Sequence, residues 1–398
     1  MTGLRPQPPS IADANWDDPS DHEVRAVSGA LVDALGGPER INPIQLVTVA
    51  AITRSMTGRS FELDELPDIG PTGLAEAMAD RAEPWRRRIL HVMMIGALLL
   101  EEIPAEIHDR LEEYAAALGI TDDMLDVTEQ LAIGSRAAAL ADFQRSGYEG
   151  AWTAESTAGT GVSTLESAWE IVEDDPALAA RWTALGDCPH RSLGRGVYDF
   201  YRARGFAFPG QPGSAPPLLA QHDWVHVLAD YGSTVASEIE VFSFISMANE
   251  DARAFSLQAM VLSLFESGHL ATGAGLFEAD TGHFSADGQA MAVRMGDAMR
   301  RGFLCGTRAG GDDLLSVDWF SLADQPLEDL RRRFHIVPKS QEAWEAGSVT
   351  AWERGGISPF QYEQGLAAAE AAGDGHEPHG ASPGYPGGAN GRNPAPEA

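Results

Sequence analysis

LLAQHDWVHVLADYGSTVASEIEVFSFIS, residues Leu218–Ser246, is the stretch that decides how this chain is organised. It contains His222, Asp223 and His226 close together, and Glu238 follows twelve residues after His226. On a helix, His222 and His226 stand about one turn apart and Asp223 lies three residues before His226, so the three side chains share one face. Imidazole and carboxylate groups are the usual ligands of zinc and neighbouring divalent metals, so this face is a candidate metal site.

Glu238 can reach that face only if the chain reverses direction. Twelve residues of straight helix rise about 18 Å, which is too far for one metal ion. Gly232 can end a helix and let the chain turn back, and it lies six residues after His226 and six before Glu238. An antiparallel helix hairpin centred there would bring His226 and Glu238 to the same height. A histidine pair at helical spacing is also common in packed or surface positions, so both interpretations stay open.

The overall composition is that of an acidic protein with room for two or three domains. The 398 residues are 44% hydrophobic and carry a net charge of −31, with an isoelectric point near 4.5. Nucleic-acid partners are not expected, because binding phosphates requires clustered Lys and Arg. Cys188 and Cys305 are the only cysteines, which excludes a disulfide framework or a thiolate zinc site and fits a reducing compartment.

No segment of the chain is predicted to cross a membrane. The N-terminal residues are acidic and Pro-rich and lack the apolar region of a signal peptide. The most hydrophobic run, Ile89–Leu100, is interrupted by His91 and is too short to span a bilayer, so it is interpreted as a core helix. The expected location is cytoplasmic, either soluble or peripheral on the inner face of the cell membrane.

Helical periodicity dominates the chain and strand patterns are scarce, so the predicted fold class is all-α. The small, polar segment 149–164 is the predicted linker between two helical domains, residues 23–148 and 165–372. The hairpin with the metal site belongs to the second domain. Residues 1–22 and the Gly- and Pro-rich residues 373–398 are predicted to form a disordered arm and a disordered tail.

The first helical domain resembles the TerB-like domain of tellurite-resistance proteins over roughly residues 40–148. The resemblance lies in the segment LEEYAAALGITDDMLD, residues 111–126, which follows an apolar helix. Paired acidic residues have been linked to metal in that family. Here Glu101–Glu102 and Asp122–Asp123 are interpreted as a helix end and a helix start.

The second domain resembles the fourth coenzyme Q biosynthesis protein family over roughly residues 188–336. His222, Asp223, His226 and Glu238 match the family motif HDxxH-x11-E. Further elements match in the same order along the chain: Ser192–Arg195 with Tyr198 and Phe200, HVLADYG at 226–232, Met299–Gly302, Val317–Trp319 and Pro326–Arg331. Ala229–Asp230 departs from the family pattern, in which Thr-Gly is commoner.

This resemblance implies a divalent metal, most often taken as zinc, held by His222, Asp223, His226 and Glu238. The implied activity is at ring C1 of a polyprenylated benzoate-like intermediate of ubiquinone biosynthesis, where a carboxylate is lost and a hydroxyl appears. Asp223 and Glu238 are then the candidate catalytic residues. The implied partners are a polyprenylated quinone precursor or isoprenoid lipid, other quinone-biosynthesis enzymes, a membrane surface, and a second copy of the chain in a homo-oligomer.

A second hypothesis is a lipid-binding scaffold that organises quinone-biosynthesis enzymes around a structural metal. Four protein ligands would close a tetrahedral zinc site, and a closed site is typical of structural zinc. Catalysis would then require a labile ligand or a larger coordination number. The sequence leaves open which of the two hypotheses applies.

Other residues were weighed for ligand and substrate binding. Glu266 and His269 form one Glu-x-x-His pair, whereas di-iron bundles use two such pairs. Arg195, Arg300 and Arg301 could neutralise a ring carboxylate or a lipid phosphate, or lie solvated on helix surfaces. A further set of apolar residues could line an isoprenoid groove, although ordinary core is the commoner role of such residues: Trp224, Phe242, Phe244, Met247 and Phe265.

Overall fold

The structure is a computed structural model that describes fourteen segments of the chain. These are residues 19–59, 61–100, 102–122, 124–132, 175–212, 214, 220–248, 258, 261–262, 287–309, 314–315, 317–353, 355–373 and 375. Helices account for the regular secondary structure of these segments, and the one isolated β-bridge among them joins Ser192 to Pro326. The predicted all-α fold class is therefore confirmed for the described residues. The predicted linker at 149–164 lies outside them.

The described residues form fourteen α-helices. They are α1 Asp21–Ala34, α2 Pro43–Thr57, α3 Pro71–Ala77, α4 Glu83–Leu98, α5 Ala105–Leu118, α6 Met124–Ala132, α7 Pro176–Thr183, α8 Leu193–Arg204, α9 Gln221–Ala229, α10 Val235–Ala248, α11 Gly288–Ala309, α12 Leu327–Arg333, α13 Gln341–Glu345 and α14 Pro359–Ala372. None of these helices has the combination of length and apolar character that crossing a bilayer requires.

The helices begin and end where their capping residues require. Ser20 and Glu23 form a capping box, so α1 starts at Asp21, inside the stretch predicted to be a disordered arm. Asn42 caps α2 in the same way, with Pro43 at its first position. Gly58 ends α2 and Gly119 ends α5, each in the left-handed conformation that glycine tolerates best.

The described residues divide into two compact units that are discontinuous in sequence. The first unit combines the described parts of 1–151 with those of 242–313 and 337–346. The second combines those of 152–241, 314–336 and 347–398. One boundary between the units falls at 151/152, within the predicted division at 149–164, and the described parts of 242–313 and 337–346 group with the first unit.

The first unit is built around α4, whose residues from Ile89 to Leu98 are all buried. This confirms Ile89–Leu98 as core. Helices α1, α2 and α5 pack against α4, and α2 also packs along α11. Close helix contacts require glycine at two places on α11. A Cβ on Gly296 would lie 2.8 Å from the carbonyl oxygen of Ala51, and one on Gly302 would overlap the carbonyl oxygen of Phe244.

The second unit is organised around α8, which contacts α9, α12 and α14. Leu193, Val197, Phe200 and Tyr201 of this helix are all buried. Arg331 of α12 donates from Nε to the carbonyl oxygen of Leu228, which satisfies one of the exposed carbonyls at the end of α9. Helix α8 thus packs against α9 and supports it.

Two carboxylates of the first unit, the part-exposed Glu23 and the buried Asp122, are held ionised by basic neighbours. The Arg81 guanidinium, 2.5 Å from Glu23, lowers the pKa of Glu23 to about 2. Burial acts to raise the pKa of Asp122, but His91, at 2.7 Å, and the Met124 backbone N–H outweigh it and hold the pKa at about 2. Both groups therefore titrate at a lower pH in the folded chain than in the unfolded chain.

Acid should destabilise the first unit through these two carboxylates. Because their folded-state pKa values lie below their ordinary values of about 4, their stabilising contribution is complete above pH ~4 and is lost as the pH falls towards 2. Urea unfolding at a series of pH values measures this loss. Glu23→Gln should reduce the loss of unfolding free energy at acidic pH. Glu76→Gln, at an exposed carboxylate of α3, should leave that loss unchanged.

The second prediction concerns the packing of α11. Gly302→Ala places a methyl group against the Phe244 carbonyl, so the free energy of unfolding should fall by about 1–3 kcal/mol. Gly375→Ala is the control, because nothing lies within 4 Å of its added Cβ. Equal stability of the two variants in denaturant unfolding would contradict this close approach.

Candidate metal centre

The helix hairpin that carries the candidate site is formed by α9 and α10. Helix α9 ends at Ala229, and Asp230 adopts the left-handed conformation with φ +65°. The Tyr231 N–H donates back to the carbonyl oxygen of His226 at 2.9 Å. Thr234 then caps α10 through its carbonyl and hydroxyl oxygens. The predicted turn between two helices is present, but Asp230, and not Gly232, ends the first helix.

Gly232 is needed for a different reason. A Cβ at this position would lie 2.6 Å from both the Cα and the carbonyl oxygen of Gly356. The next residue, Ser233, donates its backbone N–H to the same carbonyl at 2.8 Å. The turn therefore lies directly against a backbone segment far along the chain, and only glycine permits that approach.

The hairpin brings the two histidines and the glutamate together. Nε2 of His226 lies 3.3 Å from Oε2 of Glu238, and Nε2 of His222 lies 3.4 Å from the same oxygen. Potential ligand atoms of the three residues all lie within 4.8 Å of one another. All three side chains are buried, and His226 has no solvent exposure. This arrangement could hold a metal ion.

Asp223 lies beside this group and makes a different contact. Its Oδ1 lies 3.5 Å from Nε2 of His222. Its Oδ2 accepts a hydrogen bond of 2.5 Å from the hydroxyl of Tyr201 on α8. Among the described residues, the group with mutually close ligand atoms contains His222, His226 and Glu238 but not Asp223. Three of the four predicted ligands therefore have mutually close ligand atoms, and the fourth, Asp223, lies beside them.

The two carboxylates of the site have opposite pKa shifts. Burial raises the pKa of Asp223, and the two histidines and Tyr201 offset that only in part. Burial acts in the same direction on Glu238, but His226 and His222 outweigh it and hold the pKa of Glu238 at about 2. Burial and the neighbouring Asp223 raise the pKa of Tyr201 well above its ordinary value, so Tyr201 stays a hydrogen-bond donor.

The chemistry of the donor set fits a divalent cation. The 3.3 Å contact between Nε2 of His226 and Oε2 of Glu238 lacks hydrogen-bond geometry, and among the described residues Nδ1 of His226 has no hydrogen-bond partner either. Buried polar atoms are usually satisfied, so polar atoms left this way require an explanation. A cation bound between the imidazoles and the Glu238 carboxylate would satisfy Oε2 and a nitrogen of His226. Two histidines and one glutamate are also the ligand set of one class of zinc enzyme.

The ring of His226 is oriented by an aromatic neighbour. Phe200 of α8 stacks on it with ring centroids 5.4 Å apart and planes 28° apart. Arg204, one turn further along α8, places its guanidinium 3.5 Å from the Phe200 centroid. The sequence match included Phe200 but gave it no role, and it did not include Tyr201 or Arg204. The contacts of Phe200 with His226 and of Tyr201 with Asp223 depend on how α8 packs against α9, whereas Phe200 and Arg204 lie four residues apart on the same helix.

The other predicted residues have structural roles or lie outside the described residues. Arg195 bonds to Asp199 at 2.9 Å and to the carbonyl oxygen of Gly186. Arg301 donates to the carbonyl oxygen of Val337, and Arg300 is half-buried. The candidate groove residues that are described are all buried, as core residues are: Trp224, Phe242, Phe244 and Met247. Phe265, Glu266 and His269 lie outside the described residues.

Metal binding by this centre is directly testable. The purified chain should contain close to one divalent metal ion per chain, and His222→Ala combined with His226→Ala should remove it, because two of the three ligands are lost. Elemental analysis by mass spectrometry measures the stoichiometry. The control is His22→Ala combined with His190→Ala, which removes two exposed histidines and should retain the metal. Equal metal content in all three proteins would contradict the site.

No protein-family profile, no curated protein and no solved structure matches this chain. The feature that bears on function is therefore the site itself. Two histidines and a glutamate meet in the buried site, and a second carboxylate, that of Asp223, lies beside them.

Proposed function

We propose that this chain is a zinc-dependent or related divalent-metal enzyme of prenylated-quinone biosynthesis. It acts at ring C1 of a polyprenylated benzoate-like intermediate, where a carboxylate is lost and a hydroxyl appears. Its metal ligands are His222, His226 and Glu238, with Asp223 as the adjacent carboxylate. The proposed setting is cytoplasmic, at a membrane surface that holds the isoprenoid substrate. The motif resemblance supports the choice of substrate.

The observation that carries the proposal is that three ligands meet, and not four. Structural zinc sites are closed by four protein ligands, whereas catalytic sites have three protein ligands and an open position. The ligand atoms of His222, His226 and Glu238 are mutually close, while one oxygen of Asp223 is engaged by Tyr201. This geometry supports a site with room for an oxygen ligand of the substrate.

The metal, when bound, would hold the ring carboxylate and phenolate oxygens and stabilise the negative charge that develops as CO2 leaves. Loss of CO2 leaves an electron pair on C1, which can take up a proton. Asp223 is the carboxyl group placed to hold that proton, because it lies beside the ligand group with Oδ1 3.5 Å from Nε2 of His222. With Tyr201 donating to Oδ2, a proton on Asp223 belongs on Oδ1, the oxygen nearer His222. Conversion of the resulting C1–H to C–OH is a two-electron oxidation, in which the oxygen atom would come from O2 and an external electron donor would reduce the second oxygen atom to water.

A scaffold function with a structural metal is the second candidate. The observation that favours it is burial, because His222, Asp223, His226 and Glu238 are each at most 6% exposed. A buried metal that locks the hairpin would stabilise a surface for isoprenoid lipid, for other quinone-biosynthesis enzymes or for a second copy of the chain. The two candidates share the metal and differ in the consequence of replacing Asp223.

The decisive variant is Asp223→Asn. It keeps the size of the side chain and removes the carboxylic acid, so the release of labelled CO2 from a prenylated hydroxybenzoate should fall by about 10²–10⁴-fold while the metal is retained. Asp230→Asn is the matched control, because Asn also tolerates the left-handed conformation found at Asp230. Unchanged CO2 release from Asp223→Asn, together with loss of partner binding, would favour the scaffold.

A further inference from the structure

We infer that Tyr201 is the positioning residue of the metal centre: it holds Oδ2 of Asp223 and leaves only Oδ1 facing the ligand group. This role rests on the proposed metal centre. It assigns a function to a residue that lies outside the HDxxH-x11-E motif and on a different helix. Tyr201 acts through Asp223 and makes no contact of its own with the three-ligand group among the contacts that the structure describes.

The contact itself is short and fully enclosed. The hydroxyl of Tyr201 donates to Oδ2 of Asp223 at 2.5 Å, and the two residues are 1% and 6% exposed. The other oxygen of the carboxylate, Oδ1, lies 3.5 Å from Nε2 of His222. A carboxylate that is hydrogen-bonded at one oxygen cannot rotate freely about its terminal torsion angle. Tyr201 therefore decides which oxygen of Asp223 is presented to the centre.

The ring of Tyr201 is itself held in place on several sides. Phe208 stacks on it with centroids 5.3 Å apart and planes 5° apart. The ring of Phe206 contacts it edge-on, with ring centroids 5.7 Å apart, and the ring of Trp182 lies against it with centroids 5.4 Å apart. Aromatic packing of this kind fixes the position of the hydroxyl before any ligand binds. Removing the hydroxyl alone should leave the ring in this cage.

Two adjacent residues of α8 thus orient two adjacent parts of the centre. Tyr201 fixes the Asp223 carboxylate, and Phe200 stacks on the His226 ring at 5.4 Å. Residues that orient metal ligands or their neighbours typically change metal affinity by about 10–100-fold when they are replaced. Tyr201 is expected to have an effect of this size although it is not a ligand.

The test is a titration of the metal-free chain with Co²⁺, followed by the visible absorption of the bound ion. Tyr201→Phe should bind Co²⁺ about 10–100-fold more weakly than the wild type, with an altered absorption spectrum and an unchanged fold by circular dichroism. Tyr198→Phe is the matched control, because Tyr198 lies on the same helix and also stacks on Phe208, while none of its described contacts is with a motif residue. It should bind like the wild type.

A double-substitution cycle shows whether Tyr201 acts through Asp223. Adding Tyr201→Phe to Asp223→Ala should cause little further loss of Co²⁺ affinity, because Asp223→Ala has already removed the carboxylate that Tyr201 positions. Independent, additive losses would overturn the assignment, as would wild-type affinity and spectrum in Tyr201→Phe. A wild-type chain that binds no Co²⁺ overturns the metal centre and this role together, whereas normal binding with no effect of Tyr201→Phe overturns this role alone.

Discussion

The close approach of two glycines is the constraint on which the candidate site depends. Gly232, in the hairpin turn, lies so near Gly356 that any side chain at position 232 would collide with its backbone. Ser233 bonds to the Gly356 carbonyl through its backbone N–H and receives a side-chain hydrogen bond from Arg204. The turn that brings His226 to Glu238 is therefore held by contacts with Gly356, which lies more than a hundred positions further along the chain.

Arg204 supports this arrangement from within the second unit. Its guanidinium is fully buried and donates to the carbonyl oxygens of Ala351 and Gly356 and to the hydroxyl of Ser233. Gln361 completes the network by bonding to Ser233. A buried charge is expensive unless its donors are satisfied, and here neutral acceptors satisfy them. Arg204 also packs on Phe200, and Phe200 stacks on the ring of His226. Arg204 therefore links the turn at Gly232 and Ser233 to the orientation of His226.

Electrostatics explains why a cation suits the centre. Asp223 and Glu238 are buried together with two imidazoles, and taking a charged carboxylate out of water costs several kcal/mol. The site responds by raising the pKa of Asp223 and lowering that of Glu238. A divalent ion between the imidazoles and Glu238 would supply the missing positive charge.

Local sequence signals predicted the hairpin, but contacts between distant residues decided its details. Residue spacing about Gly232 was enough to predict that His226 and Glu238 meet, because helix geometry is regular. The same reasoning assigned the helix end to Gly232, which Asp230 provides instead, and grouped Asp223 with the ligands. Sequence spacing cannot show that Tyr201 engages Asp223, because that contact depends on how α8 packs against α9.

Discontinuous packing also limited the prediction of the fold. Fold class follows from helical periodicity, which is a local property, and it was confirmed for the described residues. The grouping of helices into units is not local, since α2 packs along α11 about 240 positions away. Glycines such as Gly296 on α11 permit that contact, but nothing in their neighbouring residues indicates the partner.

X-ray absorption at the zinc edge of the zinc-loaded chain tests the central claim most directly, because it reports the atoms around the metal. We predict a first shell of nitrogen and oxygen at about 2.0–2.1 Å, with the multiple-scattering signal of two imidazoles from His222 and His226. A shell without imidazole, or with sulfur, would contradict the claim that this hairpin is a metal centre.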